Sequence, residues 1–201
     1  MPDKCDKAVC SWCMGNQLLY DYHNNEWGIP LHDDKRQFEY LTLEVMQCGL
    51  SWLLILKKRE AIRAAFADFD YRRVAKYTEQ DIYAALNVPD MIKSIGKIRA
   101  VVSNAKIFMQ MQSEFGSFSK WLWSYTDDKT YIYRGHQQHL PASNALSEEI
   151  SKYLRKRGMK YLGPVTIYSH LQASGLINDH ENGCWMYKYI NENFPVCILD
   201  D

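Results

Sequence analysis

The run Asn178-Asp179-His180-Glu181-Asn182-Gly183-Cys184, near the carboxyl end, places a histidine and a cysteine with three residues between them. Near the other end, Cys10 and His23 stand with twelve residues between them. Two thiolates and two imidazoles are the donors that tetrahedral zinc prefers, and neither pair alone would bind a metal tightly. If the two pairs meet, the fold brings its two ends together and the chain between them becomes a closed loop.

The choice of ligands is open at this point. Cys13 forms a Cys-x-x-Cys arrangement with Cys10, so a second possible set is Cys10, Cys13, His180 and Cys184. Alternatively, the cysteines are small buried apolar residues and the histidines are satisfied core groups. Four protein ligands would leave zinc no open position, which indicates a structural site. Cys5 and Cys197 lie outside both pairs, and we expect no metal role for them.

The composition indicates a globular protein with a sizeable core. The chain has 201 residues, 47% of them hydrophobic, and its 24 basic residues balance 24 acidic ones. A neutral chain has no global attraction to nucleic acid or membrane, so any such attraction must come from local patches. No apolar run is long enough to span a bilayer, and the first residues do not resemble a signal peptide. We expect a cytoplasmic protein with reduced thiols and no membrane partner.

Helical periodicity dominates the chain and predicts an all-α fold. Apolar spacing predicts helices over residues 34–47, 51–66, 97–112, 143–157 and 165–173. Thr78 to Asp81 resembles a capping box that opens another helix. The best strand candidate is the short run 130–133, within a polar region that we expect to be an ordered loop or short hairpin.

The segment from Met91 to Ala105 resembles a helix-hairpin-helix. A glycine-containing turn before a long amphipathic helix exposes backbone N–H groups, which can bind a phosphate. Lys93, Gly96 and Lys97 are the candidate residues for contact with the phosphate, and Arg99 adds positive charge there. An ordinary helix–helix corner is an equally good reading of this pattern. Two further basic clusters, at 57–59 and 152–160, suggest a basic face for a polyanion.

A set of aromatic residues accompanies one acidic residue in apolar surroundings. Glu44 stands between Leu43 and Val45, Trp52 follows the same helix, and Trp12 and Tyr22 flank the first metal pair. A buried carboxylate beside aromatic rings would suit a flat, cationic ligand. A solvated helix-face charge is the more common role of such a glutamate.

Taken together, these segments resemble the 3-methyladenine DNA glycosylase I family over most of the chain. The resemblance is carried by Cys10-Ser11-Trp12, Tyr22 to Pro30, Leu43-Glu44, Gly49-Leu50-Ser51-Trp52, Leu56 to Glu60, Lys156-Arg157-Gly158 with Lys160, Tyr168-Ser169, Gly175 to His180, and Gly183-Cys184.

The resemblance implies a helix-hairpin-helix glycosylase fold with one structural Zn²⁺ that joins the two ends. The ligands would be Cys10, His23, His180 and Cys184, and the base pocket would use Glu44 as the catalytic residue with Tyr22, Trp52, Trp12 and Ser169. The reaction would be hydrolysis of the N-glycosidic bond of 3-methyladenine in double-stranded alkylated DNA, leaving an abasic site.

The expected organisation is a monomer with one domain over residues 1–201. A hairpin lobe would span about 34–125, and a second lobe would combine the N-terminal segment with about 143–184. Residues 185–201 would either pack in order against the core or form a flexible tail.

The chain also departs from the family pattern. Asp90 replaces a glycine, Ile95 a basic residue, Asn144 an aspartate and His170 a phenylalanine beside the expected pocket. No equivalent of the catalytic aspartate of related glycosylases follows the hairpin, so no general base is named. These departures leave one alternative open, a zinc-containing module that binds damaged DNA without excising the base.

Overall fold

The computed structural model describes residues 8–200, and helices dominate them. The α-helices are α1 Gln17–Asn25, α2 Asp34–Gln47, α3 Trp52–Ala65, α4 Tyr71–Val74, α5 Glu79–Asn87, α6 Ile95–Phe115, α7 Phe118–Trp123, α8 Ala145–Lys156, α9 Pro164–Ala173 and α10 Trp185–Asn193. Short 3₁₀ helices cover Ser11–Cys13, Ala67–Phe69, Ser124–Thr126 and Arg134–Gln137. Two strands, β1 Thr130–Tyr133 and β2 Val196–Leu199, complete the elements.

Local sequence signals explain the boundaries of α2 and α5. The Asp33 side chain accepts a hydrogen bond from the backbone N–H of Arg36 and so caps α2. After the end of that helix, Gly49 adopts a φ of 78°, a conformation that glycine reaches without strain. Thr78 and Asp81 form the predicted capping box at the start of α5. The helices predicted at α2, α3, α5, α6, α8 and α9 are confirmed, with ends shifted by a few residues.

The core forms where α2, α6 and α7 pack together. Phe38 of α2 lies edge-on to Phe108 of α6, with ring centroids 5.5 Å apart. Phe108 in turn stacks on Phe118 of α7 at 4.3 Å. All three side chains are buried, and the same apolar cluster extends to Leu171 of α9. Burial of this much apolar surface is the main stabilising contribution to the fold.

The carboxyl-terminal segment is ordered in its described residues, which decides between the two alternatives left open for it. Its described residues form α10 and β2, and β2 pairs in parallel with β1, Thr130 opposite Val196. The strand candidate at 130–133 is therefore a strand, although its partner is the distant chain end and not a hairpin neighbour. Ile190 and Met186 of α10 are fully buried, which explains why the segment orders.

No helix among residues 8–200 is long and apolar enough to cross a membrane. The division into two lobes stays a prediction, since one continuous apolar cluster contains residues of both segments.

Candidate functional site

The two ends of the chain meet at a buried cluster of two cysteines and two histidines. The donor atoms of Cys10, His23, His180 and Cys184 all lie within 4.8 Å of one another. His180 Nδ1 is 3.1 Å from His23 Nε2 and 3.4 Å from Cys10 Sγ. For donors about 2.0–2.3 Å from a zinc ion, tetrahedral geometry separates them by roughly 3.3–3.8 Å. The cluster therefore has the donors and the size of a tetrahedral metal site.

Hydrogen bonds around the cluster fix both imidazoles in the form that binds a cation. His23 Nδ1 lies 2.9 Å from the Asn24 side-chain oxygen, and His180 Nε2 lies 3.2 Å from the Trp27 carbonyl oxygen. Since an acceptor requires each of these nitrogens to carry the proton, the facing His23 Nε2 and His180 Nδ1 are both unprotonated. Unprotonated imidazole nitrogens are metal ligands, and these two lie 3.1 Å apart beside the cysteine sulfurs. The cluster could thus hold a metal ion.

Cys13, the alternative ligand, lies outside the cluster. Its thiol donates to the Cys10 carbonyl oxygen at 3.0 Å. Further contacts join the chain ends: Glu181 Oε1 accepts from Ser11 N and Ser11 Oγ at 2.8 and 2.6 Å. The backbone N–H of Trp185 donates to the Ala8 carbonyl at 2.9 Å. The two ends of the chain are therefore held together by polar contacts as well as by the cluster.

A cavity of about 630 Å³ opens beside the cluster and is large enough for a nucleobase. The structure brings all the pocket residues expected from sequence into its lining, together with others that sequence reasoning did not single out. The lining residues are Trp12, Tyr22, Trp27, Glu44, Gln47, Trp52, His136, Gln137, Gln138, Leu140, Ser169, Gln172, Asp179 and Glu181.

Two polar atoms in this lining are buried without a hydrogen-bond partner among the described residues. They are Oε2 of Glu44 and Nε1 of Trp52, one an acceptor and the other a donor. Burial raises the pKa of the Glu44 carboxyl to about 8, so the empty cavity favours its neutral form. Buried polar groups almost always have a hydrogen-bond partner in folded proteins. Unpartnered polar atoms that line a cavity therefore indicate a polar ligand.

Aromatic rings form one wall around this pair. Tyr22 and Trp52 lie with ring centroids 5.2 Å apart, and Trp12 approaches Trp27 at 5.1 Å. Tyr22 belongs to α1, directly before the cluster histidine His23, so its position depends on the cluster. Trp12 is 38% exposed and lies where a ligand could reach it from solvent. The rings offer flat faces for a planar ligand.

Ser169 also lines the cavity, from α9. Its hydroxyl donates to the Val165 carbonyl one helical turn earlier, at 3.2 Å, and its oxygen can still accept a hydrogen bond. Its neighbour His170, expected beside the pocket, is instead 1% exposed and absent from the lining. Both of its ring nitrogens lack partners among the described residues, and burial lowers the pKa of the ring to about 3.

Sequence reasoning missed a second buried carboxylate at the cavity, Asp179. Its oxygens accept from the Tyr168 hydroxyl at 2.6 Å and from Gln172 Nε2 at 2.8 Å, and His136 Nδ1 lies 2.7 Å away. Asp179 directly precedes the cluster histidine His180, which was the one available signal. His136 lies in the 3₁₀ helix Arg134–Gln137, and no local sequence pattern predicts that this helix lies at the pocket. Gln137 of the same segment donates to the His180 carbonyl at 2.9 Å.

The hairpin between α5 and α6 differs from the expected arrangement. Gly96 lies inside the first turn of α6 and not in the connecting turn, where Asp90 takes the positive φ of 62° instead. The Lys97 side chain is buried, and its ammonium donates to the carbonyls of Met46 and Cys48 at 2.8 and 2.6 Å. The expectation that Lys97 contacts a DNA backbone is therefore wrong, because its charge is used at the carboxyl end of α2.

Lys93 remains exposed, although its ammonium donates to the carbonyl of Leu86 at 2.5 Å. Ser94, which precedes α6, forms no side-chain cap. Backbone N–H groups at the start of a long helix are therefore available to an anion.

The basic clusters are also partly neutralised within the molecule. Arg59 binds Glu26 with two hydrogen bonds of 2.7 Å, and it also contacts Glu39. Lys58 pairs with Asp90 at 2.7 Å. In contrast, Lys152, Arg155, Lys156 and Lys160 have no carboxylate partner within residues 8–200, whereas Arg157 pairs with Glu114. Of the two basic clusters, the one at 152–160 therefore keeps more unpaired positive charge.

Comparisons with known proteins agree with this geometry. Residues 12–187 match the family model described as methyladenine glycosylase. The chain is 39% identical to DNA-3-methyladenine glycosylase 1 of Escherichia coli K12 over 179 residues, 89% of this chain and 96% of that protein. It is also 39% identical to DNA-3-methyladenine glycosylase of Haemophilus influenzae, covering 87% and 95% of the two chains.

Solved structures give the same result. A crystal structure of 3-methyladenine DNA glycosylase I matches with a TM-score of 0.84 and 40% identity, covering 89% of this chain and 98% of that one. The enzyme from Staphylococcus aureus, solved for the basis of its 3-methyladenine recognition, matches with a TM-score of 0.83 and 37% identity over 88% and 95%. The chain belongs to the methyladenine glycosylase family.

Proposed function

We propose that this protein is a DNA repair glycosylase that removes 3-methyladenine from alkylated DNA. Water cleaves the N-glycosidic bond, the free base leaves, and an abasic site remains in the DNA. The proposal draws on family membership and on the substrate named for the related enzymes. The observation that carries it is the unpartnered pair of Glu44 and Trp52 in a cavity of nucleobase size.

Glu44 is the residue that we assign to recognition of the cationic base. Methylation at N3 puts a positive charge on adenine, which makes the base a good leaving group. Placed beside Glu44, that charge would favour the carboxylate over the neutral acid that burial favours in the empty cavity. Binding of the charged base would therefore release a proton from Glu44, and neutral adenine would gain no such interaction.

The aromatic wall supplies the remaining selection. A base inside a duplex cannot reach a cavity, so it must first leave the stack, which costs a few kcal/mol. Stacking on Tyr22 and Trp52, with Trp12 at the open side, would offset that cost. A cation is held more strongly than a neutral base by the faces of such rings. Ser169 supplies an acceptor at the same wall.

We further propose that the Cys10, His23, His180 and Cys184 cluster binds one structural Zn²⁺. The donor set, the spacing and the fixed tautomers support zinc as the metal. When bound, the ion would clamp the chain ends and so hold Tyr22 and Asp179, each adjacent to a ligand, at the cavity. Four protein ligands leave no position for water, so no step of the reaction is assigned to the metal.

The DNA partner in this proposal is double-stranded, and the enzyme acts as a monomer in the cytoplasm.

The start of α6, with Gly96 in its first turn and Lys93 nearby, is the proposed contact for a backbone phosphate. Free N–H groups and the helix dipole favour an anion there.

One assay separates this function from damage recognition without excision. The protein is incubated with methylated duplex DNA, and released base and bound DNA are measured together. We expect free 3-methyladenine to accumulate with time. Persistent binding without any released base would instead support the non-excising module.

A further inference from the structure

A strained aromatic residue lies outside the cavity, in the turn between α8 and α9. Tyr161 has a φ of 61°, a left-handed conformation that is unfavourable for a residue with a Cβ atom. The residue is 45% exposed, so a large part of the ring faces solvent. Glycine or asparagine would fit this backbone better. The tyrosine at this position is therefore not explained by local folding energetics.

Hydrogen bonds from three elements hold the strained turn in one conformation. Asn104 of α6 bonds both backbone groups of Lys160, at 2.8 and 3.0 Å. Ser151 of α8 donates to the Leu162 carbonyl at 2.7 Å, and the Cys48 thiol approaches the Tyr161 carbonyl at 3.7 Å. Strain that the surrounding structure enforces in this way is typical of functional positions.

The turn lies between the cavity and the hairpin. Cys48, which contacts its backbone, follows the cavity-lining residue Gln47. On the other side, the Tyr161 hydroxyl lies 3.2 Å from the point where a Cβ on Gly96 would stand. The phenol hydroxyl therefore lies against the proposed phosphate contact at α6, while the backbone of the same residue contacts the segment that follows Gln47.

Unpaired positive charge surrounds this ring. Arg155 and Lys160 line the same shallow depression of about 380 Å³ as Tyr161, and neither has a carboxylate partner in the described part of the chain. An exposed aromatic ring flanked by cations is the combination that binds a nucleic-acid strand, by stacking on a base and neutralising phosphates.

We propose that Tyr161 contacts the DNA outside the cavity, with its ring against a base or sugar of the duplex and with Lys160 and Arg155 on the adjacent backbone. This inference rests on the proposed function, since it assigns a further part of the DNA-binding surface. It also gives the strained turn a role, which is to hold the ring rigidly beside the start of α6.

The test compares three variants for affinity to a short fluorescent, unmodified DNA duplex, for free 3-methyladenine and for thermal stability. Tyr161→Asn relieves the backbone strain and removes the ring, whereas Tyr161→Phe keeps the ring. We expect Tyr161→Asn to weaken duplex binding about tenfold, with an unchanged or raised Tm and unchanged affinity for the free base. Tyr161→Phe should bind the duplex nearly as the wild type does. Tyr189→Asn, which alters another exposed tyrosine on α10, is the matched control.

Two results would overturn the inference. One is a duplex affinity of Tyr161→Asn equal to that of the wild type. The other is a lowered Tm accompanied by weaker binding of the free base, which would make Tyr161 structural. Base release by the wild type, measured in parallel, tests the proposed function separately, because duplex affinity is read without any excision.

Lys160→Gln gives an independent readout of charge. The slope of log Kd against log salt concentration should decrease by about one, as expected for the loss of one phosphate contact. An unchanged salt dependence would remove Lys160 from the contact.

Discussion

Two buried carboxylates face the same cavity, and their surroundings are opposite. Glu44, on the α2 side, has an oxygen without a partner and a pKa raised by burial to about 8. Asp179, on the side of the Cys/His cluster, interacts with Tyr168, Gln172 and His136. A satisfied carboxylate stabilises the structure around it, whereas an unsatisfied one is ready for a ligand. The difference indicates that the side with Asp179 and the Cys/His cluster, the rigid side, holds the cavity in shape. The side with Glu44, the recognition side, is free to bind a ligand.

The largest expected effect comes from breaking the rigid side at the cluster. Cys184→Ser removes one of four ligands, so we expect the metal to be lost and the free energy of unfolding to fall by more than about 3 kcal/mol. Metal analysis and thermal unfolding measure both changes. Cys13→Ser is the matched control, because Cys13 is buried nearby but lies outside the cluster. A zinc content that stays near one per chain in Cys184→Ser would contradict the assignment.

Asp179→Asn weakens the same side without touching a ligand. The amide can no longer accept hydrogen bonds with both terminal atoms, so one of its partners loses its acceptor. We expect the free energy of unfolding in urea to fall by about 2–3 kcal/mol, with zinc retained. If stability is unchanged, the network around Asp179 is not what holds the segment at 134–140 against the cavity.

In contrast to the two variants above, Glu44→Gln should be more stable than the wild type at alkaline pH. In the folded wild type the carboxyl keeps its proton up to about pH 8, whereas in the unfolded chain it loses it near 4.5. Wild-type stability therefore falls as the pH rises through this window, at up to about 1.4 kcal/mol per pH unit. Glutamine has no such ionisation, so the variant should melt higher than the wild type at pH 9 and close to it at pH 4. If the Tm of the variant and that of the wild type change equally with pH across this range, Glu44 is not buried and unpaired in the folded protein.

His170→Phe tests the packing around the buried His170 side chain of α9. Burial lowers the pKa of His170 from 6.5 to about 3, so wild-type stability is lost as the pH falls below 6.5, where the unfolded chain takes up a proton that the folded one does not. Phenylalanine removes two unpartnered nitrogens, and we expect a gain of about 1 kcal/mol at pH 7 and more at pH 5. A variant less stable than the wild type at both values would show that the site cannot accommodate the larger ring.

Much of the recognition side could be predicted from the sequence. The α2 boundaries follow from Asp33 and the apolar spacing, and Glu44 is conspicuous there as a charge among apolar neighbours. On the rigid side, the cluster residues are conspicuous as possible metal ligands because thiols and imidazoles are a distinctive donor set. The residues alone left Cys13 and His23 as alternatives, and the family resemblance excluded Cys13.

The rest of the site depends on contacts between distant segments. His136, in a short 3₁₀ helix, contacts Asp179 more than 40 residues later, and β1 pairs with a strand more than 60 residues later, so no local pattern specifies either contact. Lys97 was misassigned for the same reason. Its acceptors, the carbonyls at the end of α2, are about 50 residues away in the chain, and only the folded structure brings them to its ammonium.

The central claim is that the unpaired carboxylate of Glu44 selects the cationic base, and single-turnover base release tests it most directly. Wild type and Glu44→Gln are compared on methylated duplex DNA at a pH where both are fully folded. Because the variant loses a charge-assisted interaction of about 1.5–3 kcal/mol, we predict release of 3-methyladenine that is about ten- to a hundredfold slower, with a Tm equal to or above that of the wild type. Equal release rates for the two proteins would contradict the account.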